Sequence, residues 1–230
     1  MSAKQEVIAY VSGKLPGGNA VLAELLKILN ACADDGILKT LSAAYNNEKP
    51  AIEFKGGSDT ESGAYYDSNN NKMVISPSGK PPDLADMFVF ESFNCAHRKE
   101  YNALANSFNA NNFPPMYFQD YGDKKSAIEG VATFEYLALL REIQKNAPNF
   151  AFSEQAKRCL KSNETVASGS QMVERMTWTP HDPAGLGDWR FATPLHYAFR
   201  RVMELRPAQT GTRIKHLVIS AAGGSVWDEA

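Results

Sequence analysis

The sequence lacks most of the features that assign a chain to a class at a glance. Its three cysteines, Cys32, Cys95 and Cys159, are an odd number at wide spacing with no C-x-x-C pair, which excludes a disulfide-dense secreted scaffold and points to a reducing compartment. No window approaches the roughly 20 consecutive apolar residues that a membrane-spanning helix requires. The opening Met1-Ser2-Ala3-Lys4-Gln5-Glu6 has no charged segment followed by an apolar one, so the expected location is cytoplasmic, or outside after export without a cleavable signal peptide. Excess charge of one sign is absent as well: 24 Lys+Arg stand against 26 Asp+Glu. His97-Arg98-Lys99, Lys124-Lys125 and Arg200-Arg201 are the longest basic clusters, too short for binding driven by counterion release, so nucleic acid is excluded as main partner. Lys14-Leu15-Pro16-Gly17-Gly18-Asn19 lacks both the Gly-Lys-Ser/Thr ending of a phosphate loop and the spacing of a dinucleotide fingerprint.

What is present is a globular composition, 43% apolar and 22% charged over 230 residues, enough for one substantial core. Val7 to Val11 is a short apolar run closed by Ser12-Gly13. From Asn19, a helix cap, apolar residues recur at helical spacing to Ala33, and a second helical stretch covers Ile37 to Tyr45. Ala51 to Lys55 alternates as a strand, and Gly63–Asp67 and Lys72–Ser76 flank an Asn-rich turn as a β-hairpin. With Asp83 as cap, a helix of about 25 residues follows from Leu84, and Ser126 opens another that runs to about Lys145. Weaker helical signals lie at 153–160 and 171–176, a clearer one at 194–205, and a last strand at 214–219. The expected fold is α+β, a helix-rich single domain over 1–230 with a small antiparallel sheet. It divides into an N-terminal helical hairpin (1–50), a core (51–146) and a C-terminal helical part (147–230).

The most informative segment is Phe90-Glu91-Ser92-Phe93-Asn94. At 100° per residue Phe90, Glu91, Asn94 and Arg98 fall in one sector of a helix that is otherwise apolar. A carboxylate in such surroundings must be paired, hydrogen-bonded, protonated or open to a cavity. Two readings stand side by side. Either Glu91 pairs with Arg98 or Lys124 while Asn94 bonds a loop carbonyl, or the two polar groups line a cleft.

The order of elements, a hairpin ending in Met73-Val74-Ile75, a buried helix centred on Glu91, and a second helix opening with Ile128-Glu129-Gly130, resembles the zincin metallopeptidase fold. In that family a strand presents substrate to a helix bearing H-E-x-x-H, and in one branch a glutamate on a later helix supplies the third zinc ligand. Phe90-Glu91-Ser92-Phe93-Asn94 looks like that motif with both histidines replaced. Phe90 cannot ligate, Asn94 is a weak neutral donor, and Glu129 is the one anionic ligand left at a matching position, so no metal and no cofactor is expected. Glu91 then has no metal-bound water to activate.

The resemblance implies a central cleft for a peptide, glycan or protein partner, with Tyr65, Val74, Arg98, Tyr117 and Tyr136 as contacts. Two functions remain open. One is a toxin- or effector-like, metal-free hydrolase with Glu91 as base, Glu129 as acid or orienting group and Asn94 as donor to an oxyanion. The other is a non-catalytic binding or immunity-type protein. Among the histidines, a Cys95/His97 dyad is sterically awkward on one helix, and His181 and His196 would rebuild a metal site only by folding back on the cleft. The aromatic cluster Phe113, Tyr117, Phe118 and Tyr121, with Pro114-Pro115, lies between the two site helices, as a hydrophobic plug or as a lid or substrate-contact loop.

Overall fold

A computed structural model describes residues 1–33, 35–54, 63–76, 79–110, 117–177, 217–219 and 225–227; the expected helix at 194–205, His181, His196 and Phe113 lie outside them. The fold is α+β and helix-rich, with a small three-stranded sheet. Packing divides the chain into two compact units, Met1–Asn102 with Val131–Gly169, and Ala103–Gly130 with Ser170–Ala230. Among the described residues no helix is long and apolar enough to cross a membrane.

The first unit begins with three helices, α1 (Ala3–Lys14), α2 (Ala20–Ala31) and α3 (Asp35–Glu48). The run Val7 to Val11 therefore lies inside a helix, with Val7 and Val11 buried one turn apart. A capping box starts α1: the Ser2 hydroxyl accepts from the Gln5 N–H, and the Gln5 side chain accepts from the Ser2 N–H. Asp35 adds a second cap from the start of α3, accepting from the Ala3 and Lys4 amides at 3.3 and 3.0 Å. Its negative charge sits where the α1 dipole is positive. Asn19 caps α2 as expected, accepting from Val21 and Leu22.

Strands β1 (Ala51–Phe54), β2 (Ala64–Asp67) and β3 (Lys72–Ile75) form a sheet in the order β1-β3-β2. The hairpin is there: β2 and β3 pair antiparallel, with Tyr65 opposite Val74, and Asn71 takes the left-handed conformation at φ 50° that closes the turn. The sheet as a whole is mixed and not antiparallel throughout. β1 joins the far side of β3 parallel to it, Ala51 opposite Lys72 and Phe54 opposite Ile75. Strand order depends on long-range pairing, which the local alternation of Ala51 to Lys55 does not encode. Gly63, at φ 76°, precedes β2; the left-handed backbone favours glycine, and a Cβ there, 2.8 Å from the Met87 sulfur, would also displace that side chain.

The sheet packs on α4 (Pro81–Ala96), which also receives α2 and α3. Pro81 and Pro82 start α4 after Lys80, ahead of the expected Asp83 cap, because proline is preorganised for the first helical turn. Every residue from Leu84 to Cys95 is buried. The expected long helix is two: α4 stops at Ala96, and α5 (Arg98–Ala110) begins after a single non-helical residue, His97. The second half of α6 (Tyr117–Asn146) brings Tyr136, Leu137, Leu139, Leu140 and Ile143 into the same core. Finally α7 (Glu154–Ser162), capped by the Ser153 hydroxyl, completes the unit.

The second unit holds the remainder of α5, the first part of α6, all but the first residue of α8 (Gly169–Thr177) and a two-stranded antiparallel pairing of β4 (Leu217–Ile219) with β5 (Ser225–Trp227). There α8 lies so close to α6 that a Cβ on Gly130 would come within 2.9 Å of the Val173 backbone.

Candidate functional site

The helix α4 carries five polar side chains in its buried stretch, and each has a partner. A tyrosine takes part in satisfying every one. Asp86 accepts from the Tyr136 hydroxyl at 3.2 Å. Ser92 donates to the Phe88 carbonyl at 2.7 Å and meets the Tyr45 hydroxyl at 2.6 Å. The Cys95 thiol meets the Tyr66 hydroxyl, which itself donates to Asn71 Oδ1 at 2.9 Å. Glu91 and Asn94 share one chain: Glu91 Oε2 accepts from the backbone N–H of Tyr66 at 3.0 Å and from Asn94 Nδ2 at 2.9 Å, and Asn94 Oδ1 accepts from the Tyr101 hydroxyl at 3.0 Å. Glu91 is 7% exposed and Asn94 5%. Leaving any of these groups unpaired would cost about 1–3 kcal/mol, so their satisfaction is what allows a helix to be buried on all sides.

The Tyr66 amide gives Glu91 its particular place. β2 is an edge of the sheet, and along an edge strand alternate N–H and C=O groups point away from the neighbour. Tyr66 lies opposite Met73, and its N–H turns outward to Glu91. A carboxylate on α4 therefore fastens the helix to the outer edge of β2.

The other expected site residues are distributed as follows. Phe90 is enclosed and packs edge-on against Tyr136, ring centroids 5.7 Å apart. Val74 and Tyr136 are both 0% exposed, so their side chains belong to the core. Tyr65 is partly exposed on β2. Arg98 does not turn to Glu91: its Nε donates to the Ser68 carbonyl at 3.1 Å and its guanidinium pairs with Glu48 at 2.9 Å. Asn94 bonds Glu91 and Tyr101 and not a loop carbonyl. Glu129 is buried on α6 in the second unit. The side chains of Tyr117, Phe118 and Tyr121 lie outside the described residues.

Chemically, the thiol and the phenols around α4 are quiescent. Burial pushes the Cys95 thiol up to about 11, and it raises the phenols of Tyr45 and Tyr66 as well. Cys95 and His97 have separate partners. His97 Nε2 meets Glu135 Oε2 on α6 at 2.9 Å. Burial pulls the imidazole pKa down, but the hydrogen bond and charge of Glu135, with Glu100 beyond, outweigh it and hold it above the ordinary value.

Neither Phe90 nor Asn94 suits a zinc ion in this setting. The Phe90 ring offers no donor, and the oxygen of Asn94 already accepts from Tyr101. Among the described residues no group of three or more His, Cys, Asp and Glu side chains is placed to hold a metal ion. No sequence signal identified Tyr45, Tyr66 and Tyr101 as partners of α4 in advance. They are separated from their partners by up to 47 residues, and no local pattern links them. No family model, curated protein or solved structure matches this chain.

Proposed function

We propose that this chain is a toxin- or effector-like protein with a metallopeptidase-like scaffold that acts by recognising a peptide or protein partner and not by hydrolysis. The toxin or effector context comes from the resemblance to small zincins alone. The single observation that carries the recognition reading is the engagement of Glu91. Its Oε2 accepts from the Tyr66 N–H and from Asn94 Nδ2, so the base of the hydrolase reading and its oxyanion donor are bound to each other. A general base must reach the proton it removes, at about 2.6–3.2 Å or through one water. Here the acceptor oxygen faces a backbone amide that has no proton to give up at neutral pH.

The test compares wild type with Glu91→Gln at a temperature where both are folded. Bound zinc is measured in the purified protein, and peptide and glycan hydrolysis are assayed with and without added zinc. The expected results are no stoichiometric zinc, no hydrolysis, and a growth phenotype or partner complex that is the same for both proteins. Stoichiometric zinc, or hydrolysis abolished in Glu91→Gln with folding intact, would overturn the recognition reading and restore the hydrolase.

A further inference from the structure

The break between α4 and α5 is unusual for its sequence. Ala96-His97-Arg98-Lys99 contains neither proline nor glycine, the ordinary causes of a helix break. Yet His97 leaves helical geometry, at φ −98° and ψ 19°, and its N–H bonds the Asn94 carbonyl three residues back. Its own carbonyl accepts from the Tyr101 N–H and so starts α5. Three long-range partners hold the two residues at this point. His97 Nε2 reaches Glu135 at 2.9 Å, and Arg98 reaches Ser68 and Glu48. Local propensity favours one continuous helix, and tertiary partners divide it.

We propose that the His97–Glu135 pair is a pH-sensitive latch that holds the α4–α5 break, and with it the Tyr101 hydroxyl on Asn94. Arg98 is the permanent half of the clamp, because its guanidinium stays charged across the physiological range. His97 is the half that titrates. The charged groups that face it are Glu135 from α6 and Glu100 from α5, both acidic, so the protonated imidazole is the form they favour. Cys95, beside it in the chain, ionises only near 11 and takes no part at neutral pH. The sign follows from linkage. A histidine held above its ordinary value in the latched form contributes stability that is fully present below the unlatched pKa. That contribution is lost as pH rises through the latched one.

The test is amide hydrogen exchange of the intact protein at His97 and Tyr101, read by NMR across pH 5 to 9 and corrected for intrinsic exchange, together with the titration of the His97 ring. Buried amides of β3 serve as the reference for global opening. One linked proton sets the limit at about tenfold per pH unit. The latch predicts that protection at His97 and Tyr101 falls by up to that factor per unit as the ring titrates, while the β3 amides do not follow. Glu135→Gln lowers the His97 pKa and removes the pH dependence, leaving protection uniformly low. Protection at these two amides that is flat with pH, or that only parallels β3, overturns the proposal. If Glu135→Gln fails to fold, the wild-type titration decides alone.

Discussion

Replacing Glu91 tests whether this carboxylate is a fastening or a reagent. In Glu91→Ala the Tyr66 N–H and Asn94 Nδ2 both lose their acceptor in a buried setting. An orphaned buried donor costs about 1–3 kcal/mol. The two are neighbours and relax together, so the loss is about 2–5 kcal/mol and not a strict sum. Glu91→Gln keeps one acceptor oxygen and forfeits only the charge assistance, a loss of about 1–2 kcal/mol. Equilibrium urea denaturation followed by far-UV circular dichroism measures both, the midpoint falling further for Ala than for Gln with little change of slope. A catalytic carboxylate behaves in the opposite way, since active-site groups are held at the expense of stability and their removal is neutral or stabilising. Glu91→Ala within about 0.5 kcal/mol of wild type, or more stable than it, would refute the structural role.

Other substitutions follow the same logic. Tyr101→Phe leaves the buried Asn94 oxygen without its donor and is expected to cost about 1–3 kcal/mol by denaturation. Tyr136→Phe keeps the edge-on contact with Phe90 but takes the hydroxyl from Asp86, so a similar loss should appear by denaturation. Cys95, enclosed and with its thiol raised to about 11, should resist alkylation at pH 8 in the native protein and react at once after denaturation. The Lys4 amide, with that of Ala3, holds the Asp35 carboxyl below its ordinary value, so its stabilisation of α1 is present at neutral pH and lost as pH falls through the native pKa. Acid titration of wild type against Asp35→Asn checks this, the wild type losing its advantage in acid.

Local chemistry made part of the fold legible. Asn19 and Ser153 cap the helices they precede, and the β2–β3 hairpin is bounded within a residue by alternation and an Asn turn. The near-continuous apolar run from Leu84 signalled a helix buried on all sides. α1 was not legible in the same way: Val7 to Val11 reads only as a short apolar run, equally compatible with a strand, and the Ser2-x-x-Gln5 capping box that starts the helix is the signal that could have identified it. Two features had no local signal. The parallel pairing of β1 needs a partner 21 positions away, as Ala51 to Lys72 shows. The stop at His97 is fixed by Glu135, Glu48 and Ser68, all distant in sequence.

The candidate site was legible only as a question. Composition showed that Glu91 and Asn94 needed partners. Which partners they have, one backbone amide and one tyrosine hydroxyl, depends on how β2 and α5 dock on α4. A backbone N–H is present at every residue but proline, and so leaves no mark in a sequence.

Exchange of the Tyr66 amide proton tests the central claim most directly. An outward N–H on an edge strand with no acceptor exchanges quickly, whereas one bonded to a buried carboxylate opens only with the surrounding structure. The account predicts that Tyr66 is protected to nearly the level of the β3 amides in wild type and Glu91→Gln, and loses that protection in Glu91→Ala. Rapid exchange of Tyr66 in the wild-type protein, with β3 fully protected, would contradict it.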